Sequence, residues 1–343
     1  MNDKIPRLHF ANLPTPIEHA ESLAKHLGLK TLLIKREDLT GLAGGGNKAR
    51  KLEFELAGVV KGGYDTVITI GGQQSNHARM TAAAARKLGL DVKLVLGGEE
   101  FDEYKGNMLL NKVLDADIRY INGSDEDADL AALMEEWTEE LTGEGKKVYA
   151  LPIGGSTPLG SLGYVYAIKE IREQMGDIEA TIILPVGSCG TFAGALLGAK
   201  LFMPRATVTG VSISRTKANI LDRVRDLTRG SAQLLEEEVF IDENTIRVYD
   251  NYHEGYAVPV EAAQAAIRTA ARLEGLLLDY IYTGKVMAAL FDLTLKGLIN
   301  KEIPVIFIHT GGLPIVFAGK HTGNDYGKCL KYSVNDIRSI RNK

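Results

Sequence analysis

Thr181-Ile182-Ile183-Leu184-Pro185-Val186-Gly187-Ser188-Cys189-Gly190-Thr191 is an apolar run closed by a glycine-bounded polar turn, and Phe192–Phe202 follows as a second apolar stretch. A six-residue run with five apolar residues, bounded by a turn, reads as a buried strand, and the stretch after the turn reads as a helix. Strand, turn and helix in that order form the unit from which parallel sheets are built. The rhythm extends in both directions. Upstream, Thr31–Lys35, Thr66–Ile70, Val92–Leu96 and Val148–Leu151 read as strands. Ala49–Val60, Ala78–Lys87, Leu130–Leu141 and Gly163–Gln174 read as helices, with Ala49, Leu52, Leu56 and Val59 on one face of the first. Downstream, strands are expected at Val208–Ile213 and Val305–His309, and a helix at Val260–Glu274. The prediction is an α/β protein of mostly parallel twisted sheets flanked by helices. Its 343 residues exceed the usual size of one compact unit, so two lobes are expected.

Composition narrows the function classes. A net charge of -4 with no basic run argues against a nucleic-acid partner. No apolar run approaches the ~20 residues of a membrane span, and the N-terminus has no signal-peptide core. Two cysteines, Cys189 and Cys329, provide neither zinc spacing nor a disulfide framework, so no metal is expected and a cytoplasmic location is. The polar tail from Asn324 to Lys343 reads as peripheral.

Four turns share one design of glycines and small polar residues before a helix: Gly44–Lys48, Gly71–His77, Gly187–Thr191 and Thr310–Gly312. Glycine lets backbone N–H groups approach an anion, and a helix N-terminus adds free donors and a positive dipole end. A phosphate is the expected tenant of at least one, and Gly187–Thr191 is the best cradle. The nucleotide signatures fail. Lys48 follows Asn47 and precedes Ala49, which is not a P-loop, and no dinucleotide fingerprint follows the first strand. Lys48 stands at the start of a helix, where the dipole disfavours its charge and favours a neutral amine or an imine. That placement suits a Schiff-base lysine.

The motifs Gly45-Gly46-Asn47-Lys48-Ala49-Arg50-Lys51-Leu52-Glu53, Gln74-Ser75-Asn76-His77, Gly187-Ser188-x-Gly190-Thr191, Tyr282-Thr283-Gly284-Lys285 and His309-Thr310-Gly311-Gly312 occur in this order. Leu13–Pro16, Lys35–Leu39 and Ile153–Ser156 accompany them. Together they resemble the D-cysteine desulfhydrase and 1-aminocyclopropane-1-carboxylate (ACC) deaminase family. These are fold-type II enzymes of pyridoxal 5′-phosphate (PLP), similar to the tryptophan synthase β subunit. The resemblance runs from about Pro6 to Gly312. It implies a small domain of residues 52–164 inserted into a large PLP-binding domain of residues 1–51 and 165–343, and a homodimer. It implies that Lys48 carries the cofactor and, once displaced by an amino-acid substrate, moves the Cα proton. Gly187, Ser188, Cys189, Gly190 and Thr191 would hold the phosphate. Asn76 would meet the pyridine 3′ oxygen and Thr310 the pyridine nitrogen. Ser75, Asn76 and His77 would receive the substrate carboxylate, with Ser75 and Tyr282 beside Lys48 as catalytic groups. Tyr256, Tyr282 and Thr283 would line the substrate side.

Within the family, ACC deaminases resemble one another in having Glu after the motif Tyr and Leu after the motif His. Thr283 and Thr310 occupy those positions here, which favours β-elimination from D-cysteine. L-Cysteate sulfo-lyase is the rival, with Gln73, Arg79 and Arg215 as candidate sulfonate partners. Arg79 otherwise reads as a solvated helix-face charge. Tyr280 stands where relatives commonly carry proline, which bears on pocket shape. A PLP or amino-acid binding protein without turnover and a nucleotide-binding enzyme are the readings from other classes. His309 and Cys189 read as packing residues.

Overall fold

The computed structural model describes residues 5–100, 102–122 and 127–318; the polar tail lies outside them. Ten strands occur among these residues: β1 (Ile17–His19), β2 (Leu32–Lys35), β3 (Thr66–Gly72), β4 (Asp91–Gly97), β5 (Asp117–Ile121), β6 (Val148–Leu151), β7 (Ala180–Val186), β8 (Ala206–Ser212), β9 (Arg247–Tyr249) and β10 (Val305–Ile308). One sheet has the order β1-β2-β10-β7-β8-β9, the other β5-β4-β3-β6. Every pairing is parallel except β1 with β2.

Strand composition explains the layers. In β10, Val305 and Phe307 enter one core while Ile306 and Ile308 enter another. In β7, Ile183 joins the first core and Ile182, Leu184 and Val186 the second. Successive side chains of a strand point to opposite faces, so a strand apolar at every position is covered on both. In the smaller sheet, Val92, Leu94 and Leu96 of β4 face one core and Val95 the other. Burying each such side chain contributes about 1.5–3 kcal/mol.

The helix Lys48–Gly62 joins the two halves. Leu52, Leu56 and Val59 pack into the core beside the smaller sheet. Its first turn is tied to the larger one by Arg50, which is buried with Glu37 at 2.6 Å and Glu170 at 2.8 Å. Lys35 of β2 completes this network on Glu170 at 2.6 Å. A buried cation left without such partners would be strongly destabilising, so the network fixes where Lys48 starts its helix.

Candidate active site

The carboxyl ends of β3, β7 and β10 converge on one pocket of about 580 Å³. Ligands sit at this end of parallel strands because the turns there present helix N-termini. The pocket wall includes Lys48, Ser75, Asn76, His77, Gly187, Ser188, Cys189, Thr191, Tyr256, Tyr282 and Thr310. The structure therefore brings together nearly all the residues singled out in the sequence.

Lys48 opens its helix directly after Asn47. Its amine lies 3.4 Å from Asn47 Oδ1 and has no carboxylate partner among the described residues. Burial alone pushes the amine down to about 8. Asn47 Nδ2 in turn donates to Thr191 Oγ1 at 2.9 Å, fastening the lysine turn to the Gly187–Thr191 turn.

Cys189 adopts φ +74, a left-handed kink just before the helix Gly190–Phe202. The thiol packs rather than reacts: it is buried, and burial pushes it up to about 11. Ser188 Oγ accepts from Ser156 Oγ at 2.8 Å. Gly190 is a departure from the expected cradle, because it lies behind the pocket wall and its N–H donates to Ser156 Oγ at 3.1 Å. Lys51, missed in the sequence, backs this turn. Its Nζ donates to Ser156 Oγ at 2.9 Å and to Gly154 O at 2.7 Å. Burial and then the charge of Lys48 hold Lys51 well below the ordinary lysine range. A Cβ at Gly190 would lie 2.6 Å from Lys51 Nζ, so only glycine lets the cation come this close.

Ser75 caps the helix Asn76–Lys87 by accepting from Ala78 N–H at 3.1 Å. His77 is buried, and burial followed by the charges of Lys48 and Lys51 keeps it neutral, well below its ordinary value. Thr69 donates to Leu151 O at 2.9 Å, so at 2.9 Å from His77 Nε2 its oxygen accepts. The proton of His77 therefore sits on Nε2. Tyr256 and Tyr282 share a hydroxyl contact of 3.1 Å, and burial followed by the Tyr256 contact holds Tyr282 well above its ordinary value.

Four sequence expectations are corrected. Thr283 does not line the pocket. It is buried, and its hydroxyl donates to Asp279 Oδ2 at 2.7 Å, which also receives the Thr283 N–H at 3.1 Å. Arg79 is neither a solvated charge nor a pocket residue; it is fully buried on the far side of its helix. Gln73 turns away to the carbonyl of Glu99. Tyr280 lies in the core behind the site. Arg215 does reach the pocket wall, where Nε donates to Gly187 O at 2.9 Å and the guanidinium pairs with Asp127. Arg223 joins Asp127 at 3.3 Å. Asp127 begins a helix between β5 and β6, so these pairs cross from the smaller-sheet side to the larger.

A half-buried lysine with a depressed pKa, a glycine turn backed by a buried ammonium, and a capped helix N-terminus fit a phosphate-bearing aldehyde cofactor. Comparisons with known proteins agree. A family model described as "Pyridoxal-phosphate dependent enzyme" matches residues 8–311. Two D-cysteine desulfhydrases of Klebsiella pneumoniae are 41% and 40% identical over 320 residues, covering 92% of this chain and 96% of theirs. The crystal structure of an ACC deaminase homologue superposes with a TM-score of 0.86 at 36% identity, covering 95% of this chain and 96% of that one. A threonine deaminase of Solanum lycopersicum shares the fold, with a TM-score of 0.64 at 19% identity over 96% of this chain and 84% of that one. With its lysine turn, phosphate-type turn and paired parallel sheets in place, the chain belongs to the family of pyridoxal-phosphate dependent enzymes.

Proposed function

We propose that the protein catalyses β-elimination from D-cysteine, consuming one water and releasing pyruvate, ammonia and hydrogen sulfide. The observation that carries this reading is Lys48, an amine held near neutrality at the meeting point of the pocket's turns. The likeness to D-cysteine desulfhydrases supports the substrate. Bound PLP supplies the electron sink that stabilises negative charge at the substrate Cα. Lys48 would hold the cofactor and, once displaced by substrate, would move the Cα proton. Gly187, Ser188, Cys189 and Thr191 would take the phosphate, with Lys51 as the cation behind them. The N-terminus of the Asn76 helix, with Ser75, Asn76 and His77, receives the substrate carboxylate. Asn76 would donate to the cofactor's ring oxygen and Thr310 would meet its ring nitrogen. Tyr282, in contact with Tyr256, stands at the substrate side and serves as a proton donor beside the leaving group.

Arg215 and Arg223 in the wall favour a second reading, the sulfonate of L-cysteate. Asp127 already pairs with both, which favours the uncharged thiol of cysteine. The assay is pyruvate release from PLP-loaded protein offered D-cysteine and L-cysteate in parallel. Sulfide from D-cysteine alone supports the proposal. Sulfite from L-cysteate replaces the substrate. Full turnover by Lys48→Ala would overturn the mechanism.

The proposal extends to organisation. The lobes divide at residues 52 and 164. The protein acts in the cytoplasm; no helix of the described residues is long and apolar enough to cross a membrane. It assembles as a homodimer. Leu109 and Val113 on one helix, with Leu313 on a short helix and Phe317 just after it, are exposed by 48%, 72%, 41% and 67%, an apolar surface suited to a second copy.

A further inference from the structure

Arg79 presents a problem of buried charge. It is fully buried and has no carboxylate partner among the described residues. Desolvation pushes its guanidinium down to about 10, and its Nε makes no hydrogen bond. Its two hydrogen bonds both lead to the site. Nη2 donates to Gly45 O at 2.7 Å, in the turn that carries Lys48. Nη1 donates to Asn107 Oδ1 at 3.1 Å.

The direction of each bond beyond Arg79 follows from which groups can only donate or only accept. A guanidinium only donates, so the Asn107 atom facing it is the oxygen. The other end of that amide faces Gln74 O at 2.8 Å, an acceptor, which agrees. The same Asn107 nitrogen lies 3.0 Å from Asn76, so Asn76 must offer Oδ1. Gln74 locks the arrangement by accepting Asn107 N–H on Oε1 at 2.9 Å. The amide of Asn76 is thereby left with Nδ2, which makes no hydrogen bond among the described residues. Asn76 lines the pocket.

We propose that Arg79 and Asn107 are positioning residues that set the amide orientation of Asn76, so that it presents a donor to the anionic ring oxygen of the cofactor. The same guanidinium pins the lysine turn through Gly45 O, so one buried cation registers two sides of the site against each other. Gly46 shows how closely that turn is held: a Cβ there would lie 3.1 Å from Met80 Sδ and 3.3 Å from Thr310 O. The inference rests on the proposed placement of PLP against Asn76.

Asn107→Asp separates positioning from packing. The introduced carboxylate is nearly isosteric with the amide and gives Arg79 an anionic partner in exchange for the lost donor to Gln74 O. It cannot donate to Asn76. The Asn76 amide would then turn its nitrogen toward that carboxylate and its oxygen toward the cofactor, setting acceptor against acceptor. The expected result is a melting temperature near the parent's, the new ion pair with Arg79 offsetting the lost bond to Gln74. The cofactor dissociation constant should rise at least tenfold, and the visible absorption band of the lysine-bound cofactor should weaken relative to its near-ultraviolet band. Asn76→Ala should change the band in the same sense, and combining it with Asn107→Asp should add less than twofold to the dissociation constant. Asn107→Ala, which removes both ends of the amide, repeats the test if the carboxylate destabilises the fold. A parental band and cofactor affinity in the folded Asn107 variants, with Asn76→Ala responsive, overturns the relay alone. An unresponsive Asn76→Ala overturns the placement of the cofactor and the relay with it.

Discussion

Gly154 tests whether the phosphate-type turn is held by contact from the opposite side of the pocket. It adopts φ +66 and ψ 10 in the turn after β6. A Cβ there would lie 1.9 Å from Ser188 Oγ and 2.6 Å from Ser188 Cβ, inside the turn assigned to the phosphate. Gly154→Ala carries two costs. The left-handed backbone costs about 1–2 kcal/mol for a residue with a Cβ. The clash adds about 1–3 kcal/mol, as overpacking of a filled site does. Gly63 isolates the first cost, because it has φ +65 and nothing within 4 Å of its would-be Cβ. Gly63→Ala should therefore lose about 1–2 kcal/mol of stability and keep its cofactor affinity. In Gly154→Ala the additional strain is relieved by displacing Ser188, which breaks its 2.8 Å bond with Ser156 and opens the turn. If that strain is expressed in binding, at about 1.4 kcal/mol per tenfold, PLP affinity falls about 5- to 150-fold. Titrating the apoprotein with PLP by visible absorbance, beside thermal melts of both variants, measures the split. A dissociation constant for Gly154→Ala within twofold of the parent's would refute the argument, whatever happened to the melting temperature.

Three further outcomes follow from the site. Lys51→Met should weaken PLP about 10- to 150-fold, the equivalent of one charge-assisted contact of about 1.5–3 kcal/mol, read by the same titration; unchanged affinity would remove Lys51 from the phosphate. Tyr282→Phe should lower kcat for pyruvate release by about 10²–10⁴-fold with PLP affinity unchanged, since only the hydroxyl is lost; a loss confined to KM would make it a binding group. The Lys48 amine, lowered to about 8, is protonated below that pH and neutral above it. Only the neutral amine condenses with an aldehyde, so stopped-flow capture of PLP by the apoprotein should accelerate through about pH 8 and level off above; a midpoint near the ordinary lysine value would contradict the burial argument.

The fold was legible where a strand is apolar at nearly every position. Thr181–Val186 and Val305–His309 read directly because both faces of β7 and β10 are covered. β5, Asp117–Ile121, alternates polar with apolar residues at the sheet's edge and carries a weaker signal. The helix Thr283–Leu295 is almost wholly buried, so it shows no polar stripe to mark its period. The short β1 and β9 have three residues each, too few to show alternation at all.

At the site, sequence identified residues but not the directions their side chains take. Ser75, Asn76, His77 and Arg79 fall within five consecutive positions, yet the first three reach the pocket wall and Arg79 points behind it. A helix turns about 100° per residue, so neighbours in a motif necessarily face different partners. Which face meets the pocket depends on Asn107 and Gly45, contributed by segments 28 and 34 residues away. Thr283 makes the same point. The resemblance places it at the substrate side, but its hydroxyl is spent on Asp279, the carboxylate that also anchors Tyr282. That tyrosine's N–H also donates to Asp279, at 2.7 Å. Asp279 is fully buried, and burial pushes its carboxyl up while the donors from Thr283, Tyr282 and Ile281 pull it down. Thr283 therefore holds the carboxylate on which the Tyr282 backbone hangs. Of the two threonines only Thr310 reaches the pocket itself, which shifts the weight of the substrate argument onto that residue and onto the Asp127-paired arginines at the pocket wall.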